Sequence, residues 1–345
     1  GSPSGGDDVT IIYPSDAADG TTGNVKSDLL AAQDGTLTGT SGTSIAEKYD
    51  VRKGSGTLNA TGTSLSGTVT LTNQNAIFKL TLKDIDGSAD VSATSVVISD
   101  QTGVVTTVTP ASAASEMYVA LSTTATTLKF LVTGSDSKKY FNMASDLSLS
   151  ASYYQSTIKL ATVGHFIASN GKCYKDNSAI PSGVTAVAKI AYLGGETGES
   201  AYNYTNGLAL AMSDAGSGGS LKWSTSTSDA GHTKQTNSNN FTSESGLQYN
   251  ATHNSDIYPA FQAAIANNGT TAPTGCSAWF LASGYQWTKM AGAVGGYDKL
   301  GLQSYFYWSS SENHANYAWY FFADYGYWNL DNKDDDYLVR SCLAF

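Results

Sequence analysis

Charge is scarce in this chain. Asp, Glu, Lys and Arg make up 14% of its 345 residues, and the balance is acidic, with a formal net charge of −10. A nucleic-acid partner is excluded on that ground, because a phosphate backbone needs a basic footprint. No apolar run approaches the roughly 20 residues that a membrane-spanning helix requires. Cysteine is nearly missing: Cys173, Cys276 and Cys342 are an odd number with no CxxC spacing, so neither a dense disulfide framework nor a zinc site is expected. They read as small buried apolar thiols, with at most one bridge among them. Proline occurs only six times, which argues against a chain disordered throughout. Tryptophan is absent from the first 162 residues, and all six lie beyond them. The opening Gly-Ser-Pro-Ser-Gly-Gly-Asp-Asp, residues 1–8, is expected to be a flexible leader, left by a removed export signal or a cloning scar.

What remains is rich in Ser, Thr, Gly and Asn, a balance that suits secreted β-proteins. The length accommodates two domains. Residues 9–162 read as short strands between turn clusters. Val69 and Leu71, then Phe78, Leu80 and Leu82, alternate with polar residues at the period of a half-buried strand. Further strands are expected over 96–98, 104–108, 117–121 and 128–132, and the regular spacing predicts an all-β sandwich. No His/Asp/Ser constellation for catalysis occurs in this half.

Residues 163–345 differ in texture. Asn170-Gly171 predicts a tight hairpin over 166–174, and buried strands are expected over 184–193 and 207–212. Residues 216–249 read as a long, partly ordered loop anchored by Trp223. A helix is predicted over 256–265, capped by Ser255 or Asp256, with Ile257, Phe261, Ala264 and Ile265 on one face. Ser283-Gly-Tyr-Gln286 has the form of a capping box. Trp287, Met290, Ala291 and Val294 follow it at helical spacing, and Gly295-Gly296 ends the helix. Residues 276–281 read as a short strand.

The last forty residues carry the strongest signal. Between Tyr305 and Tyr337 stand seven Tyr, three Trp and three Phe, with Asn329, Asp331, Asn332, Asp334, Asp335 and Asp336 beside them. Carboxylates are almost never buried unpaired, so such a mixture suits a recognition surface better than a core. Residues 318–323 should form a strand with Trp319, Phe321 and Ala323 inward and Tyr320 and Phe322 outward. A turn at Asp324-Tyr325-Gly326, a return strand over 327–330 and a final strand over 339–345 complete the pattern.

The run Thr-Val-Thr-Leu-Thr-Asn-Gln-Asn-Ala-Ile-Phe-Lys-Leu-Thr-Leu-Lys at 68–83 resembles the central strand pair of Bacteroidetes fimbrillins, the subunits of type V pili. That resemblance implies a transthyretin-like sandwich, export as a lipoprotein, and assembly with other pilus subunits by strand exchange. It also implies cleavage near Arg52 or Lys53, a place that reads equally well as an exposed turn. Cys276-Ser-Ala-Trp-Phe-Leu-Ala-Ser283, Tyr307-Trp-Ser-Ser-Ser-Glu312, Ala318-Trp319 and Val339-Arg-Ser-Cys-Leu-Ala-Phe345 resemble Bacteroidetes surface domains of C-type-lectin-like fold, related to formylglycine-generating-enzyme modules. Many members of that family look like targets of diversity-generating retroelements, which vary Asn codons. The positions matching the variable slots are His314, Asn316, Tyr317, Tyr320, Phe322, Asp324, Tyr325, Tyr327, Asn329, Asp331, Asn332, Asp334, Asp335, Asp336 and Tyr337. With Trp328 these are the expected ligand-binding residues. The scaffold slots hold Trp308, Ser309, Ser310, Glu312, Trp319, Gly326, Lys333, Val339, Arg340 and Phe345, while Ala323 and Leu330 depart from the family pattern.

The fold class expected is therefore a mainly β N-terminal transthyretin-like sandwich followed by an α+β C-terminal C-type-lectin-like domain. The function expected is that of a cell-surface adhesin, a pilus tip subunit on the fimbrium or outer membrane, binding a protein or glycan ligand on another cell or phage. The alternative is a surface glycan-binding lipoprotein with no pilus role. No enzyme is expected: a copper oxidase of the related family needs two nearby cysteines close to the C-terminus, where only Cys342 stands. The Asp run offers too many carboxylates, too close together, for the fixed pair of a glycosidase. It also lacks the regular spacing of a calcium loop, so no metal and no cofactor are expected.

Overall fold

The computed structural model describes residues 4–20, 22–39, 44–125, 127–144 and 148–345. The chain divides into two compact units, the first Gly1–Lys138 with Asp146–Leu160, the second Lys139–Ser145 with Ala161–Phe345.

The first unit is mainly β. Its principal strands are β1 (Asp8–Tyr13), β2 (Arg52–Thr57), β3 (Asn75–Asp84), β4 (Ala93–Asp100), β5 (Gly103–Val108), β6 (Glu116–Ser122), β7 (Leu128–Gly134) and β8 (Tyr153–Leu160). β3 is the centre of a sheet ordered β6–β3–β8, antiparallel to β6 with Leu80 opposite Met117 and parallel to β8. A second sheet runs from the short strand Ala32–Gln33 through β5 and β4 to β7, with Val96 between Val108 and Val132. Inward residues of both sheets, among them Leu80, Leu82, Ile98 and Val119, are fully buried. Buried Gln33 ties the two sheets together. Its side-chain amide donates to the Ala120 carbonyl at 2.8 Å and accepts from the Ala120 N–H at 2.8 Å. A buried amide satisfied on both sides fixes the relative placement of the strands that carry it.

Three expectations for this unit are corrected. Val69 and Leu71 lie in no strand. Their segment instead crosses β2 at two glycines, where a Cβ on Gly54 would meet the Thr70 carbonyl oxygen at 2.2 Å; glycine in a strand permits that approach. Arg52 and Lys53 open β2 rather than a turn, with Arg52 paired to Asp50 at 2.9 Å. Of the expected leader, residues 1–3 lie outside the described residues, while the Gly6 N–H bonds the Leu58 carbonyl at 2.8 Å and Asp8 opens β1.

The second unit mixes strands and helices. They are β9 (Phe166–Ala168), β10 (Ala186–Leu193), β11 (Gly207–Ala211), α1 (Gly246–Thr252), α2 (Pro259–Ala266), β12 (Phe280–Leu281), α3 (Gly284–Val294), β13 (Phe306–His314), β14 (Tyr317–Phe322), β15 (Tyr327–Asn332), β16 (Asp336–Tyr337) and β17 (Ser341–Ala344). Cys173–Tyr174, β9, β10, β11, β17 and β12 make one six-stranded sheet in that order. β17 is therefore internal, paired antiparallel to β11 on one side and to β12 on the other. The capping box forms as the sequence predicts, and Gly295, at φ 87°, ends α3. α2 starts later than expected, at Pro259 in the first turn, and neither Ser255 nor Asp256 caps it. Proline suits that position because its missing N–H has no partner to lose there; Ile257 is left exposed outside the helix. Residues 276–281 are strand only at Phe280–Leu281. The three cysteines are free thiols. Burial, with the neighbouring Cys276 second, raises Cys173 to about 12.

Candidate functional site

The aromatic stretch folds as an antiparallel sheet, β13–β14–β15. Successive residues of β14 point to opposite faces. On one face Phe321 packs on Trp287 and Trp328, at ring-centroid distances of 4.8 and 5.1 Å. Trp328 donates its indole N–H to the Tyr297 hydroxyl at 2.7 Å, so this expected contact residue belongs to the packed face. The other face carries Phe306 and Trp308 of β13, Tyr320 and Phe322 of β14, and their register partners Tyr327 and Asn329 of β15.

That second face is covered at one end and open at the other. Tyr320, expected to point outward, is only 7% exposed. Its ring lies 4.5 Å from Tyr337, 5.4 Å from Phe306 and 6.1 Å from Trp308. Alternation along β14 assigned the face correctly but not its cover. The cover comes from Ala215, Trp223, Tyr249 and Phe261, which join Trp308, Tyr320 and Val339 in one buried cluster. Toward the β14–β15 turn this cover stops. Phe322 is half-buried against Phe306, and Tyr325 and Tyr327 stand 83% and 62% exposed, with Asp324 and Asn329 also exposed. Tyr305 and Phe306 extend the open ledge and were missed. Phe306 alternates with Trp308, which would have placed it on this face.

The other expected residues fall in two places. Asp331 and Asp335 lie half-buried below the ledge, where Asp331 accepts from the hydroxyl of half-buried Tyr337. Asp331 is held low despite its burial by hydrogen bonds from Tyr337 and Asp335, and Asp335 is raised by sharing a hydrogen bond with Asp331. His314, Asn316, Asn332, Asp334 and Asp336 are exposed, and half-buried Tyr317 has its ring 4.7 Å from His314. His314, Asn316, Tyr317 and Asn332 gather at the far end of the hairpin, where Tyr317 pairs with Asn332. They are not brought together with Tyr325 and Tyr327. Among the described residues no group of three His, Cys, Asp or Glu is placed to hold a metal ion.

The ledge rests on a buried polar frame. Glu312 and Lys333, both fully buried, form an ion pair. Glu312 also pairs with Lys234 and accepts the Ala230 and His232 N–H groups at 2.9 and 3.3 Å. The Lys333 ammonium lies 4.8 Å from the Trp223 ring and donates to the Ser228 carbonyl at 3.0 Å. Arg340 pairs with Asp214 at 2.7 Å, and the Tyr307 hydroxyl donates to the same carboxylate at 3.1 Å.

Residues 216–249, expected to be a partly ordered loop, are bound into this frame. The indole N–H groups of Trp308 and Trp319 donate to the Leu221 and Gln235 carbonyls at 2.8 and 2.6 Å, and that of Trp223 to the Ser309 carbonyl at 2.8 Å. The His232 ring stacks on Tyr249 at 3.5 Å and faces the His253 ring at 4.4 Å. Burial, and next the His253 imidazole, depress its pKa to about 2.

At the tip of the ledge Gly326 has φ 63°, and a Cβ there would meet the Tyr297 ring at 2.3 Å. The turn is thus held by backbone and packing while its neighbours Tyr325 and Tyr327 project freely. The arrangement is one of rigid support under exposed rings and carboxylates, the pattern of a binding surface.

No family model matches the chain, and no curated protein matches it. Among solved structures it is similar to a crystal structure of a fimbrial protein from Bacteroides ovatus, at 15% identity and a TM-score of 0.40, over 97% of this chain and 85% of that one.

Proposed function

We propose that this chain is a cell-surface adhesin, a fimbrial tip subunit whose second unit presents the ledge around Tyr325 and Tyr327 to a protein or glycan ligand. The observation that carries this reading is the pairing of those two exposed rings with the buried Glu312–Lys333 frame beneath the same sheet. Exposed aromatics clustered on one patch mark interaction sites more often than they mark accident. In this reading the first unit is a transthyretin-like sandwich that joins pilus neighbours by strand exchange, and the second is a C-type-lectin-like domain with varied ledge positions. The tip role is supported by β17, which is paired on both sides and so is not free to complete a neighbour's sheet. The surface binds and does not turn over a substrate.

Cells displaying the full chain test the reading. Tyr325→Ala with Tyr327→Ala should remove adhesion, since each desolvated hot-spot ring contributes on the order of 2 kcal/mol, while the melting temperature stays unchanged. Adhesion that survives the double substitution overturns the site. Immunogold labelling distinguishes the tip of a pilus from the flat cell surface, and a glycan array set against a protein pull-down distinguishes the ligand class.

A further inference from the structure

A second concavity in the same unit has no part in the ledge. It is a cavity of about 390 Å³ bounded by α1, by the end of α2, by the turn bearing Tyr202 and Tyr204, and by the segment entering β12. That volume lies in the range of small-molecule sites. Its walls are mainly ring and aliphatic surface, including Tyr202, Tyr204, Leu247, Ile265 and Trp279. No Asp, Glu, Lys, Arg or His lines it. A charged ligand would enter such a cavity without a counter-charge, so the occupant is neutral.

The polar groups of the wall are mostly already engaged. The Ser277 hydroxyl donates to the Ala278 carbonyl at 2.7 Å and accepts from the Ala344 N–H at 2.9 Å. The Trp279 indole donates to the Thr270 carbonyl at 2.7 Å. Asn250 is different. Its Oδ1 accepts the Leu281 N–H at 3.1 Å, but its buried Nδ2 has no hydrogen-bond partner. Buried side-chain amides normally satisfy both ends. Capping Leu281 needs only the oxygen half of this amide, so that task leaves the nitrogen unaccounted for.

We propose that this cavity is a binding site for a neutral ring-bearing ligand with an acetyl or similar carbonyl group, whose oxygen accepts from Asn250 Nδ2 while its methyl and ring lie against the apolar wall. The carbonyl chemistry is shared by an N-acetylated sugar and by an aryl amide, and the two differ in the ring that accompanies it. The site is separate from the ledge and its occupation does not depend on the adhesin reading.

Saturation-transfer NMR and calorimetric titration of the full chain provide the test, with acetanilide and N-acetylglucosamine as probes and N-ethylaniline as the analogue without a carbonyl. At least one of the two acetylated probes should bind, and acetanilide, if it is the one, should bind at least tenfold more tightly than N-ethylaniline. Ala278→Trp, at an exposed wall position, should block binding with no loss of melting temperature. Asn250→Asp keeps an oxygen for Leu281 and removes the donor, so it should abolish the tenfold preference. Binding by the sugar identifies a glycan source; binding by acetanilide alone identifies an apolar aromatic one. Failure of both probes, or binding that persists unchanged in Ala278→Trp, overturns the proposal.

Discussion

The two units hold themselves together by different means. In the first, the buried residues are mainly aliphatic, and pairs such as Lys79–Glu116 and Lys83–Asp90 sit at the surface. In the second, Glu312–Lys333 and Arg340–Asp214 lie inside, and indole N–H groups reach backbone carbonyls more than eighty residues away. An aliphatic core tolerates changes of shape and punishes holes. A buried charge network punishes the loss of any one partner, because the others remain desolvated and unpaired. The second unit is thus the more exacting one, and it is also the one that carries the exposed ledge. A surface whose outward residues are to differ without harm needs a frame that does not depend on them.

The sharpest way to break this contrast is Glu312→Ala. It leaves the Lys333 ammonium buried without its carboxylate, and should cost the second unit about 3–5 kcal/mol. All six Trp lie in that unit, so denaturant unfolding followed by Trp fluorescence reports on it alone. An early fluorescence transition with an unmoved far-ultraviolet remainder is the expected result. A change below about 1 kcal/mol would place this pair with the surface pairs.

Acid should separate the units next. All four His belong to the second unit. His232 is depressed to about 2 in the folded state, below its unfolded value of about 6.5. Its contribution is fully present above about pH 6.5 and is lost as pH falls below that, by up to about 1.4 kcal/mol per pH unit. Glu199 and Glu244, raised by burial, act in the opposite sense: their folded forms hold protons more readily, so their cost is relieved as pH falls toward about 4.5. The decisive measurement is therefore a difference. Stability followed by Trp fluorescence between pH 7 and 5 should fall more steeply in the native chain than in His232→Phe. Equal slopes would mean that His232 does not titrate against burial.

Trp319→Phe removes the donor to the Gln235 carbonyl and should cost about 1–3 kcal/mol, with the 216–249 segment more open to proteolysis. The smallest effect is expected from Glu116→Ala in the first unit, within about 1 kcal/mol by urea unfolding. Should it exceed the Trp319 change, the contrast between the units would be lost.

What the sequence made legible follows the same division. In the first unit, alternation around Phe78 to Leu82 placed β3 and its inward face, because a half-buried strand needs no information beyond its own period. In the second, the capping box at Ser283 was legible for a similarly local reason. α1 was missed although Ser245-Gly-Leu-Gln248 has the same S-x-x-Q form as Ser283-Gly-Tyr-Gln286, and Ser245 does accept the Gln248 N–H at 3.0 Å; the polar composition around it hid the signal. Tyr320 shows a different failure. Period-two alternation separates two faces of a strand but cannot say whether both are covered, and its cover comes from Trp223 and Phe261, far back in the chain. Asp214 as the partner of Arg340 was out of reach for the same reason.

Gly326 has one more consequence. With the Tyr297 ring in the space a side chain would take, the tip of the hairpin has a single admissible letter between two unrestricted ones. Sequence variety introduced at 325, 327 and 329 would then multiply into distinct surfaces without shifting the frame in which each is read, whereas any insertion or replacement at 326 would misalign them all. A combinatorial library drawn on this chain should randomise those three positions and leave the glycine between the first two untouched.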